Sequence, residues 1–522
     1  MRSRSRRGSR LGAPLRRGPP GAGGRLRRLA PGAHGLRRPR VPRHGCRHHR
    51  PGHHPALLAH RPGHAHTRPV RRRPLAARLG PGPRAPHRHH RPRGEHVKAL
   101  LLTHGTRGDV QPFLALARAL RGAGHGALVA GPAASAPLAA EYGVDYHPVD
   151  DGPNALMGDP DLDGAMDTGL RGLRGTAEAV KVMRRIKPLM YRVYSDMADA
   201  AEGGADLVVH HPGMPGGHIA ERLGVPAVPA LLQPTWVPTS AFPAAGFPAT
   251  RVPAALNRTT YRLLALSVRA LAPVADRLRA ERLGLPRRPG RDDILRQADG
   301  APSTVLQGFS RHLLPAHTGY PDRVHTTGFW FLAAPGAALE PRVEEFLAAG
   351  PPPVFIGFSS MPGTDPARSG QVMAGAARAA GVRAVIASGW GGIDASAHSG
   401  DDVLVIDKAP HELLFPRCAA VVHHGGGGTT GAALAAGRPQ VVCPFWGDQP
   451  FWAERAHASG IAVRPLRGQE LTAERLAAAV AEAATTTALA ERARDLGALA
   501  RAEPGAEGAV AVLERVRSGL PA

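Results

Sequence analysis

The sequence is short of cysteine, of aromatic residues and of long apolar runs, and each shortage excludes something. Its three cysteines, Cys46, Cys418 and Cys443, share no close spacing. Neither a disulfide scaffold nor a CxxC zinc site is therefore expected. No stretch approaches the roughly 18 consecutive apolar residues of a membrane-spanning helix, and the basic N-terminus lacks the apolar core of a secretory signal. A cytoplasmic protein of a reducing compartment is the expectation. Aromatic residues make up 4% of the 522 residues and are missing altogether from residues 1–96.

The charge is as uneven as the aromatics. Residues 1–96 hold 26 arginines, no lysine, 13 histidines, 15 prolines, 14 glycines and a single acidic residue, Glu95, for a net charge of +25. The other 426 residues hold 41 basic and 40 acidic side chains. The body is thus near neutral and does not read as a nucleic-acid-binding domain. A segment of Arg, Pro, Gly and His without aromatics cannot bury enough apolar surface to offset its chain entropy, so disorder is expected over 1–96. Three accounts fit it. It binds nucleic acid or anionic lipid by counterion release, or its histidines (His48, His49, His53, His54, His87, His89 and His90) chelate metal. The third, which is preferred, makes it an artefact of start-site choice in GC-rich DNA, with Val97 as a GTG start.

From Val97 the texture changes. Short apolar runs at 97–103, 127–130, 206–211, 227–232 and 304–309 read as buried parallel strands. Between them lie helical spacings such as Phe113, Leu114, Leu116, Ala117 and Leu120 over 111–121. The stretch 150–200 is less regular, and the Pro-rich 233–254 reads as loop. A second series of strands follows at 354–358, 384–388, 403–406, 419–423 and 440–443, with further helices after 470. Alternation of this kind predicts βαβ units around parallel sheets. The expected division is an N-terminal half over 97–332, a linker over 333–352 rich in Ala, Pro and Gly, and a C-terminal half over 353–522. Such halves hold a ligand between them, beyond the carboxyl ends of their strands.

Two motifs carry chemistry. Residues 421–437 run from a strand through His423, His424 and four glycines (425–428) into a helix opening with Thr429 and Thr430. Glycines let backbone approach a bulky anion, and free N–H groups at a helix start point toward it. A ligand-free glycine turn is the plainer account. The P-loop lysine is missing, and consecutive glycines do not fit the GxGxxG dinucleotide pattern. Beyond Gly437 a strand is followed by Pro444-Phe-Trp-Gly-Asp-Gln449, whose Asp448 lies eleven residues after that glycine. The carboxylate and amide of Asp448 and Gln449 can bond several hydroxyls of one ligand, although Asp448 by itself is as readily a helix N-cap. Together the motifs suit a ligand with phosphates and hydroxyls: a nucleotide sugar.

His-His-Gly-Gly-Gly-Gly-Thr-Thr followed by Pro-Phe-Trp-Gly-Asp-Gln resembles the donor signature of GT-B glycosyltransferases of family 1, in particular the sterol glucosyltransferase-like and bacterial natural-product (antibiotic) enzymes. The resemblance includes Thr106-Arg-Gly-Asp-Val-Gln-Pro112, Leu232-Gln-Pro234 with Phe242-Pro243, Gly389-Trp-Gly-Gly392 and Ala409-Pro-His411. It covers nearly all of 97–522 and none of 1–96. Two positions depart from it: Ser359, where the family usually has Gly, and Gly427, commonly Ala. It implies an α/β GT-B fold of two Rossmann-like domains facing across a cleft.

By the same resemblance, His424, Gly426, Gly428, Thr429 and Thr430 hold the donor diphosphate, with Ser360 at a helix start nearby. Asp448 and Gln449 hold the sugar, Pro410 and His411 face the base, and Asp109 is the general base. The local alternative for Asp109 is a cap on a helix starting near Gln111. His104 and His325 are weaker base candidates, and Arg107-Gly108-Asp109 is not read as an adhesion tripeptide. Trp236, Phe242 and Phe247 would line the acceptor pocket.

The implied reaction moves a hexose from a UDP- or dTDP-sugar to a hydroxyl of a lipophilic acceptor (a sterol, macrolide or other aglycone), with inversion. No metal and no cofactor beyond the co-substrate is expected. The expected partners are small molecules rather than nucleic acid, with peripheral membrane contact admitted. Oligomeric state, the choice of nucleotide and the acceptor are unreadable from sequence. Two other classes fit parts of the chain: a nucleic-acid or membrane-surface protein working through the basic arm, and a sugar-nucleotide epimerase.

Overall fold

The computed structural model describes residues 96–156, 172–287, 293–333, 336–358, 365–389 and 392–520. The basic segment up to residue 95, Ser359 and Ser360, and Trp390-Gly391, on which expectations were placed, lie outside the described residues.

The first sheet has seven parallel strands: β1 (Lys98–Leu102), β2 (Gly126–Pro132), β3 (Asp145–Val149), β4 (Leu207–His210), β5 (Ala227–Leu231), β6 (Val305–Gln307) and β7 (Val324–Thr326). Their order is β3-β2-β1-β4-β5-β6-β7. The second has five, β8 (Val354–Gly357), β9 (Ala384–Ala387), β10 (Val403–Ile406), β11 (Val421–His423) and β12 (Gln440–Val442), in the order β10-β9-β8-β11-β12. Both reverse direction of winding beside their first strand, at β1/β4 and at β8/β11. Ligands of doubly wound sheets bind outside the strand ends at such switch points.

The strands form where the sequence runs apolar because both faces are covered. Ala99, Leu101 and Leu102 are fully buried in β1, and Val354 and Ile356 in β8. The edge strands β3 and β7 escaped the reading of the sequence. β3 is Asp-Tyr-His-Pro-Val, and its polar residues and Pro148 suit an edge, where one side of the ladder needs no partner. A helix of 29 residues, Gly172–Ala200, occupies part of the stretch read as irregular. Its Met190, Val193, Tyr194 and Met197 are buried against the first sheet, packing that offsets the helix cost of Pro188.

Two elements join the halves. Phe309 of the first half and Phe451, Trp452, Leu434 and Val442 of the second share one core cluster. A buried aromatic removes roughly 150–250 Å² from water, worth about 4–6 kcal/mol as an upper estimate. The last helix, Gly505–Arg517, returns to the first half. Its Ala509, Val510 and Leu513 pack into the core that holds Phe113 and Leu116 of the Arg107–Gly122 helix. The Ala/Pro/Gly stretch between the sheets contains the helix Pro341–Ala348, whose Val343 and Leu347 are buried beside Phe355 of β8.

Candidate active site

The loop after β1 carries Asp109. The helix begins at Arg107, four residues earlier than the spacing suggested, with Thr106 as N-cap. Asp109 is its third residue, and its Oδ2 accepts from the Thr106 backbone N–H at 2.9 Å and from Thr106 Oγ1 at 3.2 Å. The cap expected at Gln111 is therefore a capping box opened by Thr106. A capping role and a catalytic one are compatible here, because these bonds engage one oxygen and leave Oδ1 toward the cleft side. Gly105 makes room for the carboxylate: its φ is +130°, and a Cβ there would lie 2.3 Å from Asp109 Oδ2.

Asp109 Oδ1 lies 3.9 Å from Nε2 of His211, the residue that follows β4. The sequence reading did not single out His211. Its Nε2 is buried and makes no hydrogen bond, the Asp109 oxygen lying beyond hydrogen-bond distance. Burial holds its pKa below the usual histidine value, opposed by the Asp109 charge. Asp109 and His211 thus flank the β1/β4 switch point. His104 is engaged elsewhere, its Nε2 against the Asp150 carbonyl at 3.0 Å. His325 belongs to edge strand β7, where the Arg515 charge is felt, and lies away from this pair.

On the second sheet, the two histidines after β11 have separate tasks. His423 is fully buried; Nε2 donates to Gln440 Oε1 at 2.9 Å and Nδ1 accepts the Gly425 N–H at 3.1 Å. That fixes a neutral tautomer, and burial pushes its pKa down to about 3. His423 pins the loop. His424 lies across it: a Cβ on Gly426 would sit 2.5 Å from His424 Nε2. Its Nδ1 is buried without a partner, and burial pushes its pKa down to about 4.

Gly425 has φ +92°, and the helix Gly427–Ala435 then starts with Gly426 as N-cap. The first N–H groups of this helix have no intrahelical acceptor, and Gly428 is exposed with open space where a side chain would be. Thr429 is half-buried at the same end. Thr430 is fully buried, and its hydroxyl donates to the Gly426 carbonyl at 3.0 Å. It shapes the loop rather than presenting a hydroxyl to the cleft.

Asp448 occupies the N-cap position of Gln449–Ala458, yet its side chain makes no capping bond. Instead Oδ2 accepts from Trp452 Nε1 at 2.8 Å. Burial pushes its pKa up to about 6, and the charge of Asp109 adds to that rise. The two carboxylates, 339 residues apart in sequence, therefore sense each other across the cleft. Gln449 uses Oε1 to accept from the N–H groups of Phe445 at 2.9 Å and Trp446 at 3.3 Å, bracing the turn that leads to Asp448. Pro410 precedes the short helix that begins at His411. His411 stacks on Phe415 with ring centroids 4.3 Å apart, and burial pushes its pKa down to about 4. Arg107, from the first half, also bears on His411.

Among the expected acceptor residues, Trp236 and Phe247 are half-buried, whereas Phe242 is core. It is 5% exposed and packs on Phe451 at 5.3 Å and Tyr320 at 6.5 Å. It supports the loop from behind and offers no open wall. Asp402, in the loop before β10, is held by Arg378 at 2.8 Å.

Two parallel sheets with their switch points facing, and a glycine-rich helix start at one of them, define the GT-B class of glycosyltransferases. Residues 99–237 match the glycosyltransferase family 28 N-terminal domain, and residues 384–516 the erythromycin biosynthesis protein CIII-like C-terminal domain. O-mycaminosyltylonolide 6-deoxyallosyltransferase of Streptomyces fradiae is 36% identical over 437 residues, which span 80% of this chain and 97% of that protein. Sterol 3-beta-glucosyltransferase UGT80A2 of Arabidopsis thaliana is 32% identical over 74% of this chain, but only 60% of its own length is matched. Among solved structures, the glycotransferase of kitacinnamycin gives a TM-score of 0.59 at 21% identity, over 82% of this chain and 99% of that one. VinC in complex with dTDP gives 0.56 at 20%, over 81% and 100%. The chain belongs to the family of antibiotic- and sterol-type glycosyltransferases.

Proposed function

We propose that the protein is an inverting, nucleotide-sugar-dependent hexosyltransferase acting on a hydroxyl of a lipophilic acceptor. The observation that carries this reading is the mutual placement of Asp109 with His211 at one switch point and of the 425–430 helix start with Asp448 at the other. The first half, 97–332, takes the acceptor, and the second, 353–522, takes the donor. A UDP- or dTDP-sugar lays its diphosphate on the N–H groups at 427–429, beside His424. Its sugar hydroxyls meet Asp448, and its base lies near Pro410 and His411. The orphaned Nδ1 of His424 is suited to such a ligand, since an approaching phosphate would satisfy it and raise its lowered pKa.

Asp109 takes the proton as the acceptor oxygen attacks the anomeric carbon, and neutral His211 steadies the carboxylate. The glycosidic oxygen of the diphosphate leaves with the bonding pair, its charge met by the helix start. Attack opposite the leaving group inverts the centre. Trp236 and Phe247 offer apolar surface to the acceptor; the names of the relatives, a tylonolide and sterols, support an acceptor of that character.

Thermal unfolding of the full chain with UDP, dTDP, GDP, ADP or duplex DNA tests the donor site. A ligand at 100 times its dissociation constant adds about 2.7 kcal/mol, a rise of several degrees. A response to UDP or dTDP is expected; a response to DNA alone would transfer the function to the basic arm. A glycoside product separates transfer from epimerisation, which yields free isomers. Because backbone N–H groups meet the diphosphate, turnover is expected to survive a chelator, and strict dependence on added Mg²⁺ would overturn that part.

The raised pKa of Asp448 sets a pH dependence. Below about pH 6 its carboxyl is protonated, so the KM for the donor is expected to climb as pH falls through 6, and Asp448→Asn is expected to flatten that climb. Stability runs the other way. Between the ordinary carboxylate value and 6 the folded state holds a proton that the unfolded state lacks, so stability falls as pH rises through that window. Asp448→Asn should therefore raise the Tm at pH 7.5 and leave it little changed at pH 4.

A further inference from the structure

The helix Asn257–Val268 follows the acceptor loop and presents two unlike faces. Its inner face holds that loop. Asn257 Nδ2 donates to the Ser240 carbonyl at 2.8 Å, Thr260 Oγ1 accepts the Ala244 N–H at 2.8 Å, and Tyr261 Oη donates to the Phe242 carbonyl at 3.3 Å. Its outer face carries Leu263 and Leu266, continued two turns earlier by Leu256, at 50%, 53% and 51% exposure. Among the described residues these are three of the eight large apolar side chains left in solvent.

At the 100° per residue of a helix, Leu256, Leu263 and Leu266 fall in one stripe. Arg258, Arg262 and Arg269, all exposed, fall in a second stripe beside it. No acidic residue occurs between Arg222 and Asp276. Leucines flanked by arginines, on a helix whose other side is anchored, form a surface that buries its apolar stripe at a headgroup boundary while the guanidinium groups meet anionic phosphates. A soluble protein partner would need a matching acidic rim around an apolar groove; a bilayer supplies both along its whole face.

We propose that this outer face docks on an anionic lipid surface. Docking sets the Pro-rich 233–254 loop, tied to the helix by the three hydrogen bonds above, at the membrane. A lipophilic acceptor could then reach Trp236 and Phe247 without crossing water. Docking itself needs no glycosyl transfer; its use, delivery of such an acceptor, rests on the reading proposed above.

The test uses the full chain with Thr259, an exposed residue on the leucine stripe, changed to Cys and labelled with an environment-sensitive fluorophore. A Cys46→Ser background keeps the label there, because Cys418 and Cys443 are buried. Phosphatidylcholine vesicles containing phosphatidylglycerol are expected to shift the emission to the blue, with quenching by brominated lipid chains. Pure phosphatidylcholine should give a weak response. Arg258→Gln, Arg262→Gln and Arg269→Gln should each lower partitioning about fivefold. Combined Leu256→Ser, Leu263→Ser and Leu266→Ser should abolish the shift while leaving the thermal response to nucleoside diphosphate intact, which shows that the variant folds. Co-sedimentation without any shift at 259 would place binding on another segment, such as the basic arm, and overturn the proposal. A shift produced by raising protein concentration without vesicles would overturn it in favour of a second copy of the chain. Neither outcome depends on whether sugar is transferred.

Discussion

Asp109→Asn is expected to lower kcat by about 10²–10⁴-fold, the usual contribution of a general base, while the thermal shift with UDP or dTDP stays unchanged. The amide can still accept from the Thr106 N–H that Oδ2 accepts now at 2.9 Å, so the capping box and the helix start should persist. The substitution thus separates chemistry from folding. Asp109→Ala also removes the capping acceptor and should add a loss of about 0.5–2 kcal/mol in stability. His211→Gln should cost less than Asp109→Asn, since the imidazole stands 3.9 Å from the carboxylate and takes no proton in the proposed step. Steady-state rates beside ligand-induced Tm shifts distinguish these cases. Equal loss of nucleotide response and turnover in Asp109→Asn would place that residue in the fold rather than in the reaction.

The largest effect on stability is expected at Glu221→Ala. Arg279 is 0% exposed, and its guanidinium gives Nη1 to Glu221 Oε2 at 2.7 Å and Nη2 to Oε1 at 3.2 Å. Its Nε donates to the Pro286 carbonyl at 2.8 Å. A planar fork met by a carboxylate is a strong pairing, but desolvating both charges uses up most of its Coulombic gain. Removing the carboxylate leaves a buried cation, at a cost of about 3–5 kcal/mol, or roughly 3–6 °C in Tm for a folded unit spanning 97–522. Replacing both partners, Glu221→Leu with Arg279→Met, should restore most of the loss, because the desolvation penalty disappears with the charges. Calorimetry of the single and double variants decides it: a double variant as unstable as Glu221→Ala would mean that shape rather than charge fixes the site.

Much of this was legible from residue order alone. Strands such as β1 and β8 are short apolar runs buried on both faces, and the glycine loop into the 427–435 helix is a local signal, since the left-handed φ at Gly425 favours glycine. The apolar runs, the glycine favoured by the left-handed φ at Gly425 and the order of the motifs sufficed for the fold class and the family, because each rests on neighbours in sequence. What the sequence left undivided was settled by contacts between distant segments. The resemblance named His424 alone, and the physical division between it and its neighbour comes from Gln440, 17 residues on, which takes His423 into the core. Phe242 looked like an acceptor wall until Phe451 and Tyr320 closed over it. Nothing local marks His211; it meets Asp109 only because β4 pairs with β1 at the point where the winding reverses. Local propensity and spacing act over a few residues, whereas burial, pKa and the meeting of side chains depend on which strands become neighbours.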